Sequence, residues 1–516
     1  MWSILIKKSY SLEKTLIIKT GNCSMTKNIA FQSRFVNPRR ETNHREFNEF
    51  LDRLDLIDQL LKCSGFELKF AQTYLDGLEA LCGHPLDPKS VRRHTEYAVQ
   101  ALRCNILKML LRQSLRQTSL LIAASPEFQT FCVVGDFCSA EVPSKSALHK
   151  FSKIVPGETL QEFNHLLIGY AASQEVRVFD LDPLDCKTLW MDATCLMATI
   201  HFPVDWILMR DAVRTLVKAI LCIRNHGLKH RIPAPESFLG QINSLCMEMS
   251  GCRRQKETKK NRKAVLRDMK KVVNIVRKHA ERYRDLLTVN LDRTDLSKDE
   301  ATQIIDRIEN ILTQLPAALK QAQARIIREE KVPSDEKILS FYDHSAKVIV
   351  RGKSGAEVEF GNELNIVEQQ DGLVVDWQLF EKKTADADKL LDMMKHYPHQ
   401  QFETENMVAD RGYDSPRSRR ILNSLGINNH IAARSPGEFA RQLESDEFQR
   451  LHKRRSQTEP RIAAVKRFIG SRIPCKDFEF KKRHVGWAVL THNLVLLARM
   501  VALARRENIL LTAKSA

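Results

Sequence analysis

The sequence has no C-x-x-C pair. Its twelve cysteines are scattered. Cys132 with Cys138 and Cys246 with Cys252 lie six apart, without histidines at ligand spacing. That spacing indicates neither a zinc ribbon nor a thioredoxin-type site, and buried free thiols in a reducing cytosol are expected. No run approaches the ~18 apolar residues of a membrane span. The first twenty residues, MWSILIKKSYSLEKTLIIKT, hold two short apolar runs broken by lysines, with no continuous signal-peptide core and no small-residue cleavage site. Met25 offers a second start, so residues 1–24 read as an upstream extension without a structural role. Acid is also in short supply: 63 Asp and Glu face 81 Lys and Arg, a net charge of +18 and a pI near 9.4. An excess of this size favours a polyanion, most often nucleic acid. The plain alternative is a soluble basic protein.

What is present is enough chain for two to four domains, at 516 residues, and 43% hydrophobic residues to build their cores. Residues 46–130 carry apolar residues at helical spacing, as in FNEFLDRLDLIDQLLK and YAVQALRCNILKMLLRQSL. The stretch VPSKSALHKFSKIVPGETLQEFNHLLIGY offers Ser144 and Ser146 as helix caps. It reads either as a helix-turn-helix-like DNA reader or as ordinary helix. In KTLWMDATCLMATI a β-compatible run leads to Asp192, and the helix after it stops at Gly227. Residues 253–284 hold 14 Lys and Arg against 3 Asp and Glu. Leu266, Met269, Val273, Val276, Ala280 and Tyr283 within them, with Leu287 just beyond, form a heptad seam. A capping box, Ser297-x-x-Glu300, opens a second seam from Ile305 through Ile308, Leu312, Leu315, Leu319 and Ala322 to Ile326, with a kink expected at Pro316. The two seams predict an antiparallel hairpin, seam to seam. From 338 to 380 the period becomes two, with turns at 352–355 and Asp371-Gly372. A helix follows, then a strand ending at Asp410, a helix capped by Ser415 and stopped by Gly426, the strand-like NNHIAA, and helices to the end.

Three acids stand out. Asp192 and Asp410 end or interrupt apolar strands, where a carboxylate is costly unless it is paired or bound to metal. Glu459 lies in a stretch, 450–483, with 12 Lys and Arg against 3 Asp and Glu. Hard divalent cations take carboxylate oxygens and keep substrate phosphates as further ligands. With 63 acids in the chain, spacing alone leaves open whether these three act together. His452, Arg455, Glu459 and Lys466 follow spacings of 3, 4 and 7, which puts them on one face of a continuous helix.

On these residues the chain resembles the DDE transposases of bacterial insertion sequences. The resemblance rests on DATCLMATIHFPVDW, on VADRGYDSPRSRR, and on Arg455, Glu459 and Lys466 at the spacing of that family's Tyr-x2-Arg-x3-Glu-x6-Lys signature. VEFGNELNIVEQQDGLVVDWQLFE and GWAVLTHNLVLLARM extend it over roughly 125–505. It implies an α/β catalytic domain of the RNase H or retroviral-integrase type, with a mixed sheet. A helical insertion interrupts that domain and an all-helical domain precedes it. The expected order is a 1–44 extension, a 45–180 helical domain able to bind DNA, a catalytic first part at 181–227, an insertion at 228–334, a catalytic second part at 335–505, and a 506–516 tail. Asp192, Asp410 and Glu459 would be catalytic, holding Mg²⁺ or Mn²⁺, two ions in all. His452, Arg455, Lys466 and Arg411 would meet DNA, and Lys259, Lys260, Arg262 and Lys263 would meet it from the insertion. The partners implied are double-stranded DNA, as terminal inverted repeats and target, and a second copy of the chain on DNA. The setting implied is the bacterial cytoplasm at the nucleoid, with no membrane.

Two departures matter. His452 stands where the signature has tyrosine. Pro460 disfavours an α conformation at Glu459, so Glu459 is expected to cap a helix, with Glu444 and Glu447 as the next candidates for the third acid. The rival functions are a non-catalytic DNA-binding protein on a decayed transposase fold and a nuclease of the same fold.

Overall fold

The computed structural model describes residues 42–135, 140–173, 181–252, 258–353 and 356–515. Residues 1–41 of the expected extension and 253–257 of the basic run lie outside them. All the described elements belong to the unit Val36–Ala516.

Among the described residues seven helices come first: α1 (Arg45–Cys63), α2 (Phe66–Cys82), α3 (Pro88–Leu111), α4 (Leu115–Ala124), α5 (Pro126–Cys132), α6 (Lys145–Phe151) and α7 (Gly157–Ala172). Their starts follow from short polar caps. Asp87 accepts from the Lys89 and Ser90 amides, with Pro88 at the first position. Ser114, Ser125 and Ser144 each accept from the amide three residues on. Of the two serines expected to cap, Ser144 does so, and Ser146 lies inside α6. The buried Arg103 ties α3 to α2 and α1 through Glu67 at 2.6 Å and Asp58 at 2.7 Å. Asn164 of α7 donates to the Val374 and Val375 carbonyls, fixing that helix to the sheet.

Strand β1 (Thr188–Met197) follows, then α8 (Asp205–Asn225), α9 (Pro235–Gly251), α10 (Thr258–Val289) and α11 (Lys298–Ala322). The seam residues of α10 are all buried, and Ser297 and Glu300 form the expected capping box. Two expectations are corrected here. The α11 helix runs through Pro316 without interruption, and a π-helical stretch, Gln323–Arg328, comes after it. The seams do not face only each other, because both helices pack extensively on α8. Accordingly Ile304 and Ile311 are buried where Ile305 and Leu312 are partly so. These four helices share an apolar core of their own.

Strands β2 (Lys347–Lys353), β3 (Ala356–Glu368) and β4 (Val374–Phe380) come next, then α12 (Asp386–His396), β5 (Asn406–Ala409), α13 (Pro416–Ser424) and β6 (Asn428–Ile431). The period-two reading began too early. Residues 338–346 are loop, held by Asp343, which takes the buried Lys481 ammonium at 2.7 Å and the Ala346 amide. The chain closes with α14 (Pro436–Gln442), α15 (Asp446–Arg454), α16 (Thr458–Ile469) and α17 (Phe478–Ser515), which carries helix through the segment expected as a tail.

The sheet order is β2-β3-β1-β5-β6, with β4 also paired to β3. The β1–β3, β2–β3 and β3–β4 pairs are antiparallel, and β1–β5 and β5–β6 are parallel. One apolar core joins α1–α7, the sheet and α17, from Leu51 and Phe66 through Leu189 and Met407 to Leu494. By length and composition α17 is apolar enough to cross a membrane, against the expectation that no such stretch exists. In this fold most of that stretch is buried inside the protein, as a core helix.

Candidate active site

The β1–β5 ladder pairs Thr188 with Asn406, Leu189 with Met407 and Trp190 with Val408. Two residues further along, the same register sets Asp192 level with Asp410. Adjacent strands lie roughly 5 Å apart, so the two acids are neighbours. Burial is complete from Leu189 to Met191 and relaxes at Asp192, in the middle of β1. Asp410 follows the last residue of the fully buried β5. There it caps a 3₁₀ turn, Arg411–Tyr413, and accepts from the Gly412 amide at 2.8 Å. Gly412 leaves room for this: a Cβ there would fall 2.6 Å from Asp386 Oδ2 and 2.9 Å from Asp410 Oδ1. Tyr413 is buried, and its hydroxyl donates to Asn365. Burial, with Asp386, Asp192, Asp410 and Glu363 around it, holds that phenol in its neutral form.

Glu459, the candidate third acid, lies on a helix. The Asp192 carboxyl is pushed up by burial, and further by Asp410 and Glu459, against the Ala193 amide and Arg455. Arg455 Nη1 stands 3.9 Å from Asp192 Oδ2. Asp192, Asp410 and Glu459 thus share one electrostatic neighbourhood, although among the described residues no three His, Cys, Asp or Glu side chains already stand at metal-ligand spacing. By chemistry, though not yet by spacing, these three groups suit a hard divalent cation. The set is all carboxylate, and its like-charge repulsion is what such an ion relieves. Glu444 and Glu447 are both exposed on another part of the helical segment, and Glu447 acts on His430.

The signature residues do not share one continuous helix. His452 is in α15, Arg455 opens a 3₁₀ turn (Arg455–Gln457), and Glu459 and Lys466 are in α16. Glu459 is the second residue of α16, and Pro460 follows in the first turn, where its missing N–H has no helical partner to lose. The expectation that Glu459 caps this helix is corrected: Gln457 holds the cap position. His452 stacks on Phe448 at 5.3 Å, and burial with Arg455 and Arg411 pushes its pKa down. Arg411 lies over the Phe439 ring. The nearby Arg419 is taken by Asp414 and Glu438 and braces the loop.

Sequence reasoning missed the clamp that aims these residues. Arg454 stacks over Trp190 at 4.1 Å and donates to Glu368 at 2.6 Å and to the Gln369 and Gln370 carbonyls. Thr458 donates to the same Glu368 oxygen. The helical segment is thereby pinned to the end of β3. Also missed was the buried Lys389, which bridges Glu363 and Asp386 beside the Asp410 turn. The charge run hid Arg454, and no short spacing linked Lys389 to Glu363. On the insertion, Lys259 and Lys263 both reach Glu329, at 2.7 and 3.1 Å, and Arg262 covers the Trp206 ring. Of the four residues read as a DNA face, Lys259, Arg262 and Lys263 therefore already have partners within the protein, Lys259 in an exposed ion pair.

Fold and register together define a mixed α/β protein with Asp192 and Asp410 level on two neighbouring parallel strands. Residues 362–494 match the family model described as a transposase DDE domain. The match takes in Asp410 and Glu459 and begins after Asp192. Over that segment the match supports kinship with the insertion-sequence DDE transposases. No curated protein and no solved structure matches the chain.

Proposed function

We propose that this protein catalyses metal-dependent cleavage and strand transfer of DNA at insertion-sequence ends, on an RNase H-like catalytic domain. The observation that carries the reading is the register that sets Asp192 level with Asp410 on adjacent parallel strands, with Glu459 acting on the same carboxyl. Asp192, Asp410 and Glu459 would hold Mg²⁺ or Mn²⁺, two ions, which when bound supply Lewis-acid stabilisation of charge on the phosphodiester. The chain's own residues do the rest. Arg455 balances the half-buried Asp192 and stands where a phosphate of the reacting strand would enter. Lys466 lies two helical turns beyond Glu459, about 10 Å along α16, to hold the next phosphates. Arg411 and His452 form the wall beside Asp410. Two element ends must be joined, so a homodimer on DNA in the bacterial cytoplasm is the working state.

The test is incubation of the protein with duplex DNA carrying the element ends, in Mg²⁺ or Mn²⁺. Asp192→Asn and Asp410→Asn should each lower cleavage by roughly two orders of magnitude or more, the scale of several kcal/mol of lost charge stabilisation. DNA binding should persist, because it rests mostly on Lys and Arg contacts to phosphate. Cleavage retained in either variant removes the assignment. Cutting without joining leaves a nuclease, and gel shift without cutting leaves a DNA-binding protein.

A further inference from the structure

A cleft of about 460 Å³ opens beyond the C-terminal end of β1, between loop 199–204, α8, α11 and the segment before β2. Five basic side chains line it: Arg214 and Lys218 from α8, Arg307 from α11, and Arg472 and Lys476 from the loop before α17. All five are exposed. The acid on the lining, Asp211, is already paired with Arg210 at 3.2 Å. Two aromatic rings share the rim. Phe202 is 73% exposed and rests edge-on against Phe360 at 5.4 Å. Tyr342 is 37% exposed, with the Lys476 ammonium 4.5 Å from its ring centre and its hydroxyl bonded to Thr215. Thr199, at the edge of this cleft, lies seven residues past Asp192, roughly 20 Å along an extended chain. The cleft is therefore separate from the acids.

We propose that this cleft seats an unpaired stretch of a DNA strand. Cations along a groove follow a phosphate backbone, and rings held from behind offer faces on which bases stack. In a duplex those base faces are already stacked on one another, so rings add nothing to its binding. The proposal rests on the transposase reading for its choice of DNA as the polyanion.

The test uses the full chain without divalent metal, so that binding is read without chemistry. Labelled oligothymidine is titrated and followed by fluorescence anisotropy, beside a blunt duplex. Phe202→Ala should weaken oligothymidine binding by roughly tenfold, the lower part of the range for losing one stacked base, and leave duplex binding unchanged. Arg214→Ala with Lys218→Ala should flatten the slope of log K against log salt by about 1.4, two contacts at about 0.7 each. An unchanged melting temperature shows that these exposed positions leave the fold intact. Oligothymidine affinity unchanged in both variants overturns the proposal. So does equal loss on duplex and single strand, or displacement of oligothymidine by polyglutamate as effective as by unlabelled DNA. Cleavage retained by Asp192→Asn would sink the catalytic assignment and leave these affinities as they are. The two failures are thus distinguishable.

Discussion

At the scale of the residue, the sequence DRGYD divides its labour. Asp410 caps the turn with one oxygen, and its charge helps push the Asp192 carboxyl up. Gly412 gives the space, Tyr413 is anchored on Asn365, and Asp414 accepts a two-bonded Arg419 and the Arg434 amide. Under the proposed function Asp410 alone of these residues would take part in chemistry, and the others hold it in place. Arg454 and Glu368 work in the same way from the other side. Burial pushes the Glu368 carboxyl up, and Arg454 and Thr458 oppose the shift. Removing the guanidinium leaves a buried acid without its main partner, so Arg454→Ala should cost about 3 kcal/mol. It should also lower cleavage, because Arg455 and Glu459 lose their support. Denaturant unfolding beside a cleavage assay checks this. Wild-type stability in the variant would show that the clamp contributes nothing.

At the scale of the element, the segment Asp446–Ile469 is two helices joined by a tighter turn rather than one rod. Pro460 is compatible with this arrangement because it falls in the first turn of α16. In the insertion, the basic start of α10 faces both ways. Lys259 and Lys263 neutralise Glu329, whose carboxyl they hold down, while the exposed end of the helix remains open to a polyanion. Replacing Lys259, Lys260, Arg262 and Lys263 together by Ala should flatten the salt slope of duplex binding by less than the ~4 units that four phosphate contacts would give. It should also lower the melting temperature, because Arg262 no longer covers Trp206. Salt titrations and thermal melts read the two effects. A variant unchanged in both would mark the segment as ordinary surface.

At the scale of the whole molecule, α17 is the spine on which the N-terminal helices and the sheet meet. Its two buried histidines make the fold sensitive to acid. Burial pushes His484 and His492 down to about 4, against the bonds each makes to a carbonyl, Ile469 and Gly372. Their folded pKa values lie below the ordinary 6.5, so the unfolded chain binds protons first as pH falls. Their contribution is therefore intact above about 6.5 and is lost between there and about 4, by up to about 3 kcal/mol each. The melting temperature should fall across that window, and His484→Gln should shallow the fall, since glutamine can still donate to Ile469. A variant as acid-sensitive as the wild type would place the cause elsewhere.

What is local was legible in the order of residues. Periodicity marked the α10 seam, cap chemistry marked Ser297 with Glu300 and Ser415 with Pro416, and an apolar run cut short by an acid marked Asp410. Charge pointed to a polyanion before any fold was known. The family resemblance rested on similarly short spacings, and the match bears it out over 362–494. The tertiary structure decided what depends on distant partners. Parallel register sets Asp192 beside Asp410 across more than two hundred residues of chain, and no spacing encodes that. The Arg454–Glu368 clamp, the Lys389 bridge and the cationic cleft each draw side chains from separate elements. The rotation of the α11 stripe toward α8 was settled by which surface lay nearest, since an apolar stripe says how much area must be covered and not by what.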